Sequence, residues 1–329
     1  MKRLFSFWIS VAMLLGLASC ETDFDITAEW KDITIVYGLL DQQDTFTYVK
    51  INRAFLGEGD VLKMAQIPDS TYYPFDVMEV WMEEVYNGQN TGKFFVFDTI
   101  SITDKAAGTF YYPRQIVYVA NTHGQLRTDH TYRLMIRNNS TGKVVKAETG
   151  LVGNFSVDKP LYNPNNPIVG FNGNLPYAVE WYSAVNGKRY ELLIRFNYKE
   201  KSPDSPDTLF KHVDWRFAPK KAGTLAGGEK MELKYDGQAF FGRIRESIPY
   251  NADVKRYIGK VDFVFSVAAD DLSTYIDVNE PGSSIIQERP EYTNIENGYG
   301  IFSSRSHKTQ SYFLNTQSTS TILGMNLSF

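Results

Sequence analysis

Alternation is the feature that most constrains this chain. Short segments with an apolar residue at every second position recur along it, and long runs at helical spacing are scarce. Side chains along a strand point to alternate faces, so each such segment buries one face and needs a second layer over it. Thr47, Val49 and Ile51 alternate with Tyr48, Lys50 and Asn52, and Met78, Val80 and Met82 share one face. Tyr132, Leu134 and Ile136 alternate with Arg133, Met135 and Arg137. Ile33 to Leu40 is continuously apolar and reads as a buried strand. Phe94 to Phe97, Ile116 to Val119 and Val144 to Thr149 complete a set of about seven short strands between turns, as in an Ig-like sandwich.

The pattern is less regular further on. Tyr190, Leu192, Ile194, Phe196 and Tyr198 share a strand face, and Asn186-Gly187 just before them is a short-range hairpin signal. His212 to Phe217, Lys230 to Tyr235 and Val261 to Val267 read as strands, and Ile322 to Phe329 alternates as a closing strand would. Val61 to Gln66, Gln238 to Ile248 and Asp270 to Val278 read as short helices, the last behind acidic caps. The expected fold is mostly β, with two β-sandwich-like domains. The N-terminal one is Ig-like, and the C-terminal one is irregular with short helices.

Composition sharpens two points. The only cysteine is Cys20, so no disulfide can form within the chain and stability must come from packing. A net charge of −4 gives nonspecific nucleic-acid binding no electrostatic support, so no nucleic-acid partner is expected.

Met1 to Cys20 has the order of a secretory signal: Lys2 and Arg3, an apolar run from Leu4 to Leu17, then small residues. The run is too short for a membrane span and is interrupted by Ser6 and Ser10. Leu17-Ala18-Ser19-Cys20 resembles the lipobox of bacterial lipoproteins. The resemblance implies that Cys20 is acylated, becomes the mature N-terminus and holds the protein to a lipid bilayer. The resemblance implies two chains on the sulfur and a third on the new N-terminus, which together far exceed the marginal hold of one, about 10⁴ M⁻¹. Glu21, Asp23 and Asp25 resemble the acidic export signal of Bacteroidota surface lipoproteins, which implies a place on the outer membrane facing outward. The expected organisation is a signal peptide over 1–19, a lipidated tether over 20–31, an Ig-like sandwich over 32–153, a boundary region over 154–176 and a β-rich domain over 177–329.

Two further stretches carry resemblances. Leu126 to Leu134 resembles the approach to a tyrosine corner, which implies that Tyr132 bonds back to the chain just upstream. Asn294-Ile295-Glu296-Asn297-Gly298-Tyr299-Gly300-Ile301-Phe302 resembles a motif near the C-terminus of an uncharacterised Bacteroidota envelope lipoprotein family. That family implies an envelope lipoprotein without assigned chemistry, in company with outer-membrane nutrient transporters. Locally, the glycines permit unusual backbone angles and the asparagines bond in turns, which suits a structural clasp.

Catalytic signatures are weak. No Gly-x-Ser-x-Gly elbow, His-Glu-x-x-His helix, phosphate loop or dinucleotide fingerprint occurs. His123, Asp129 and His130 lack metal-site spacing, and Glu58, Asp60 and Asp69 match no calcium loop. No metal or cofactor is expected. Glu83-Glu84 and Asp270-Asp271 are the carboxylates an envelope hydrolase would use. The favoured expectation is a non-catalytic binding or scaffold protein. Its contacts would come from tyrosines in turn-rich stretches, Tyr72, Tyr73, Tyr111, Tyr112, Tyr292 and Tyr299, whose flat rings suit glycans or peptides.

Overall fold

A computed structural model describes residues 33–54, 60–171, 176–203, 205, 207–280 and 291–329. The protein is mostly β, with several sheets and short helices. In order, the elements begin with β1 (Thr34–Leu40), β2 (Phe46–Arg53), α1 (Val61–Ala65), α2 (Pro68–Thr71), β3 (Met78–Tyr86), β4 (Gln89–Val96), β5 (Asp98–Ile102), β6 (Gln115–Asn121), β7 (Thr131–Asn138) and β8 (Val144–Gly150). Then follow β9 (Val157–Lys159), β10 (Ile168–Val169), β11 (Pro176–Tyr182), β12 (Arg189–Lys201), β13 (Thr208–Arg216), β14 (Lys220–Lys221), β15 (Lys230–Asp236) and α3 (Gly237–Ser247). The chain closes with β16 (Lys255–Ala268), α4 (Asp270–Asn279), β17 (Gly298–Leu314) and α5 (Thr316–Leu323).

Among the described residues, one ten-stranded sheet runs through both halves in the order β13-β12-β16-β17-β1-β2-β6-β5, with β14 on β12 and β10 on β17. A four-stranded sheet, β4-β3-β7-β8, faces its N-terminal part, and a three-stranded sheet, β15-β11-β9, faces its C-terminal part. Two cores result. Val36, Val49 and Ile51 meet Met82, Leu134 and Ile136 in the first. Leu192, Ile194, Phe263 and Phe265 meet Val179, Trp181 and Leu233 in the second. Helix α3 adds Phe240, Phe241 and Ile244 to the second core, and the Asp236 carboxylate caps its first turn by accepting from Gln238 N–H at 2.9 Å.

Strand β17 joins the two cores. Its first residues pair in parallel with β1, and its later ones pair antiparallel with β16. Ile295 and Phe302 thereby enter the core otherwise built by the first 151 residues. The Asn294 side chain brackets Phe302, donating to its carbonyl at 2.7 Å and accepting from its N–H at 3.0 Å. Asn297, at a left-handed φ of 61°, donates to Val144 O at 3.0 Å. Gly300 has φ of 111°, and a Cβ there would lie 2.0 Å from Val36 O. The Asn-Gly motif is therefore a clasp that fits β17 against β1 and β8.

Tyrosine corners occur in both halves. Arg127 N–H donates to Tyr132 Oη at 2.6 Å, as the resemblance implies. Ala184 N–H donates to Tyr190 Oη at the same 2.6 Å, a second corner. This second corner corrects the hairpin expectation at Asn186-Gly187. Strand β11 pairs with β15 and β9, whereas β12 pairs with β13, β14 and β16. Asn186 does adopt a left-handed φ of 61°, but its side chain donates to Leu151 O at 3.0 Å. The turn thus carries the chain from one layer to the other.

The closing strand at Ile322 to Phe329 is also corrected. Thr316–Leu323 is α5, capped where Asn315 Oδ1 accepts from Ser318 N–H at 2.8 Å. Beyond it, Asn326 and Ser328 have φ of 55° and 64°, which no strand contains. Helix α4, too, begins without a side-chain cap at Ala269, and its acids Asp270 and Asp271 sit in the first turn, where the helix dipole favours them.

Candidate functional site

The pleat that fills the first core also builds an aromatic outer face. With Val36 and Leu40 of β1 and Val49 and Ile51 of β2 turned inward, their neighbours must turn outward. Tyr37, Phe46, Tyr48 and Tyr299 are accordingly 42%, 44%, 49% and 49% exposed. Helix α4 lies across this face, anchored where Ala269 N–H donates to Ser304 O at 3.0 Å. Its Tyr275 meets Tyr37 edge to face, with ring centroids 6.4 Å apart.

Two hollows adjoin at that contact, since Tyr37 and Tyr275 line both. One, of about 880 Å³, is walled by Ile35, Asn279, Tyr292 and Tyr299. The other, of about 490 Å³, is walled by Asp44, Phe46, Tyr48 and Lys50. Tyr292 donates to the Asp271 carboxylate in the first turn of α4, which fixes its ring. Burial, and then that bond, raise the Tyr292 hydroxyl well above the ordinary phenol range. Burial, followed by the neighbouring Tyr37 hydroxyl, pushes Tyr275 up to about 12. Both phenols stay neutral at physiological pH, where they can donate as well as accept. The face therefore offers fixed rings for stacking, with a carboxylate, an ammonium and an amide at its margins.

The tyrosines expected to bind separate into four situations. Tyr292 and Tyr299 meet on this face. Tyr111 lines a different cavity, of about 470 Å³, near α2. Tyr112 is 44% exposed and lines none of the three concavities. Tyr72 and Tyr73, expected as open rings on a loop, are buried instead. They sit beneath α2, which Asn52 ties to β2 by donating to Thr71 O at 3.1 Å, and Tyr73 Oη lies 3.2 Å from Thr34 Oγ1. Sequence reasoning missed Tyr37, Phe46, Tyr48 and Tyr275. For the first three the available signal was an aromatic at the outward position of a period-2 strand, where a polar residue is the norm; Tyr275 lies on helix α4. Cys20, the expected lipidation residue, lies outside the described residues, as do the signal, the acidic tether and Glu58.

The carboxylates singled out for catalysis stand apart. Glu83 and Glu84 belong to β3 of the four-stranded sheet, whereas Asp270 and Asp271 start α4 on the outer face of the large sheet. Glu83 accepts from Trp81 Nε1 at 3.1 Å, and Glu84 accepts from Thr91 Oγ1 at 3.0 Å. His130 has Nδ1 2.8 Å from Asp129 Oδ1 and stacks on Tyr86 at 4.6 Å. Among the described residues, no three His, Cys, Asp or Glu side chains are grouped to hold a metal ion. Compared with protein families and with characterised proteins, the sequence matches none of them.

Proposed function

We propose that this protein is a non-catalytic binding component of the outer membrane, lipid-anchored through Cys20 and facing outward. Its ligand is a glycan chain that lies along the aromatic face of β1, β2 and β17. The observation that carries this reading is the row of four rings on outward strand positions, Tyr37, Phe46, Tyr48 and Tyr299, all more than two-fifths exposed. Grouped exposed rings mark interaction surfaces. Sugar rings stack on such faces, and their hydroxyls suit the flanking Asp44, Lys50 and Asn279. The lipobox and the acidic tether support the envelope location, and the family resemblance supports company with a nutrient transporter.

The test is a glycan array and a peptide array probed with purified protein, repeated with Tyr37→Ala and Tyr299→Ala variants whose melting is unchanged. Glycan binding lost in both variants and insensitive to salt is the expected result. Peptide binding alone would replace the ligand class. Binding to neither array, or binding that neither variant alters, would leave only a scaffold role. Separately, Cys20→Ser is expected to release the protein from the membrane fraction or leave it unprocessed. Acylation persisting in that variant would overturn Cys20 as the anchoring residue.

A further inference from the structure

We propose that the cavity beside α2 is a second site, distinct from the aromatic face, which takes a small organic carboxylate with an apolar body. Its volume of about 470 Å³ suits a small molecule. Pro74, Phe75 and Ile116 line it together with Tyr72, Tyr73 and Tyr111, so its walls are largely apolar. Set into those walls are two guanidinium groups, Arg53 and Arg114, and one carboxylate, Asp69.

Both arginines are positioned, yet their charge is not consumed. Arg53 donates to the backbone carbonyl of Asp69. Arg114 donates through Nε to Ser101 Oγ at 2.8 Å, and its guanidinium lies 5.8 Å from the centroid of the Phe75 ring. Neither makes an ion pair among the described residues. Each guanidinium carries five N–H donors, so most remain available. Lys105 adds positive charge behind the wall, where its Nζ donates to Tyr111 O at 2.7 Å.

These features select among ligands. The cationic groups, Arg53 and Arg114 in the walls and Lys105 behind them, outnumber the one carboxylate, Asp69, which suits an anion. Planar guanidinium donors fit a carboxylate through paired N–H bonds. The apolar walls disfavour a strongly hydrated phosphate, and the aromatic residues among them, Phe75 and Tyr111, favour an apolar body.

The test is calorimetric titration of the purified full chain with phenylacetate and indole-3-acetate, using phenylacetamide and inorganic phosphate as controls. The carboxylates are expected to bind at least about tenfold more tightly than the amide, because only they meet the arginine charge. Arg114→Gln is expected to weaken carboxylate binding by about tenfold. Tyr37→Ala, on the other face, is expected to leave it unchanged, which separates failure of this site from failure of the glycan site. Arg114 is the deciding variant, since its loss removes one hydrogen bond, to Ser101, and one ring contact, with Phe75; Arg53→Gln is the second, with melting checked for both. No heat from either carboxylate, equal binding of the amide, or full affinity in Arg114→Gln would overturn the proposal.

Discussion

Replacing Gly300 by alanine tests the clasp that joins the two cores. Two penalties are combined at this position. The φ of 111° lies where residues with a side chain are strained, at about 1–3 kcal/mol. The added Cβ would also stand 2.0 Å from Val36 O and 3.1 Å from Val36 N, so β1 or β17 must move by about an ångström or more. Overpacking of that kind adds about 1–3 kcal/mol. The sum is about 2–6 kcal/mol, a large part of the 5–15 kcal/mol by which domains are ordinarily stable. Gly88→Ala is the natural control. It has a positive φ of 76° but nothing within 4 Å of the new Cβ, so only the conformational penalty applies, about 1 kcal/mol. Urea unfolding of the purified protein, followed by tryptophan fluorescence, would compare the two midpoints. Gly300→Ala is expected to be the weaker protein by several kcal/mol, or to fail to accumulate. If the two variants unfold at the same urea concentration, the close approach of Gly300 to Val36 carries no energy and the clasp argument is wrong.

Three other outcomes are expected. Tyr132→Phe and Tyr190→Phe each leave a corner N–H, of Arg127 and Ala184, without its acceptor, which costs about 1–3 kcal/mol by chemical denaturation; loss of less than about 0.5 kcal/mol in both would remove the corners as stabilising features. A fragment holding only residues 33–153 lacks the seven paired positions that β17 offers β1, and it leaves open the space filled by Ile295 and Phe302. It is expected to be unfolded or marginal by circular dichroism and to gain strand structure when a synthetic peptide of residues 291–314 is added; a fragment as stable alone as the whole chain would contradict this. Acid should also weaken the protein. The Glu200 carboxyl is held below its ordinary 4.5, chiefly by Lys211 and then Arg256, and Asp214 below its ordinary 3.8, chiefly by Arg195. A depressed folded value means that the stabilisation is complete above the ordinary carboxylate range and is lost as pH falls through the folded value. The urea midpoint should hold from pH 7 to about 5 and drop below about 4, and a midpoint unchanged at about pH 3 would show that these pairs contribute nothing.

The sequence by itself determined the strands that alternate and the face each one buries. Tyr190 to Tyr198 and Met78 to Met82 fill cores with the residues that period 2 assigns to them. It also determined Tyr132 as a corner and Phe240, Phe241 and Ile244 as one buried helix face. These are local properties, written within a few neighbouring residues. Pairing is not local. Nothing near Asn186-Gly187 states that β12 leaves its neighbour for another sheet, and the polar run from Ser303 to Gln310 carries no alternation although it lies inside β17. Ser304 is tolerated there because distant backbone satisfies it: its Oγ donates to Gly150 O at 2.7 Å and accepts from Val152 N–H at 3.1 Å. Both candidate sites belong to this second class. Tyr37, Tyr275 and Tyr299 come from three separate segments, and Arg53, Tyr72 and Arg114 from three more. Which outward rings stay open, and which charges face the same cavity, is decided only when those segments pack, because burial belongs to the neighbours a side chain acquires and not to its own position in the chain.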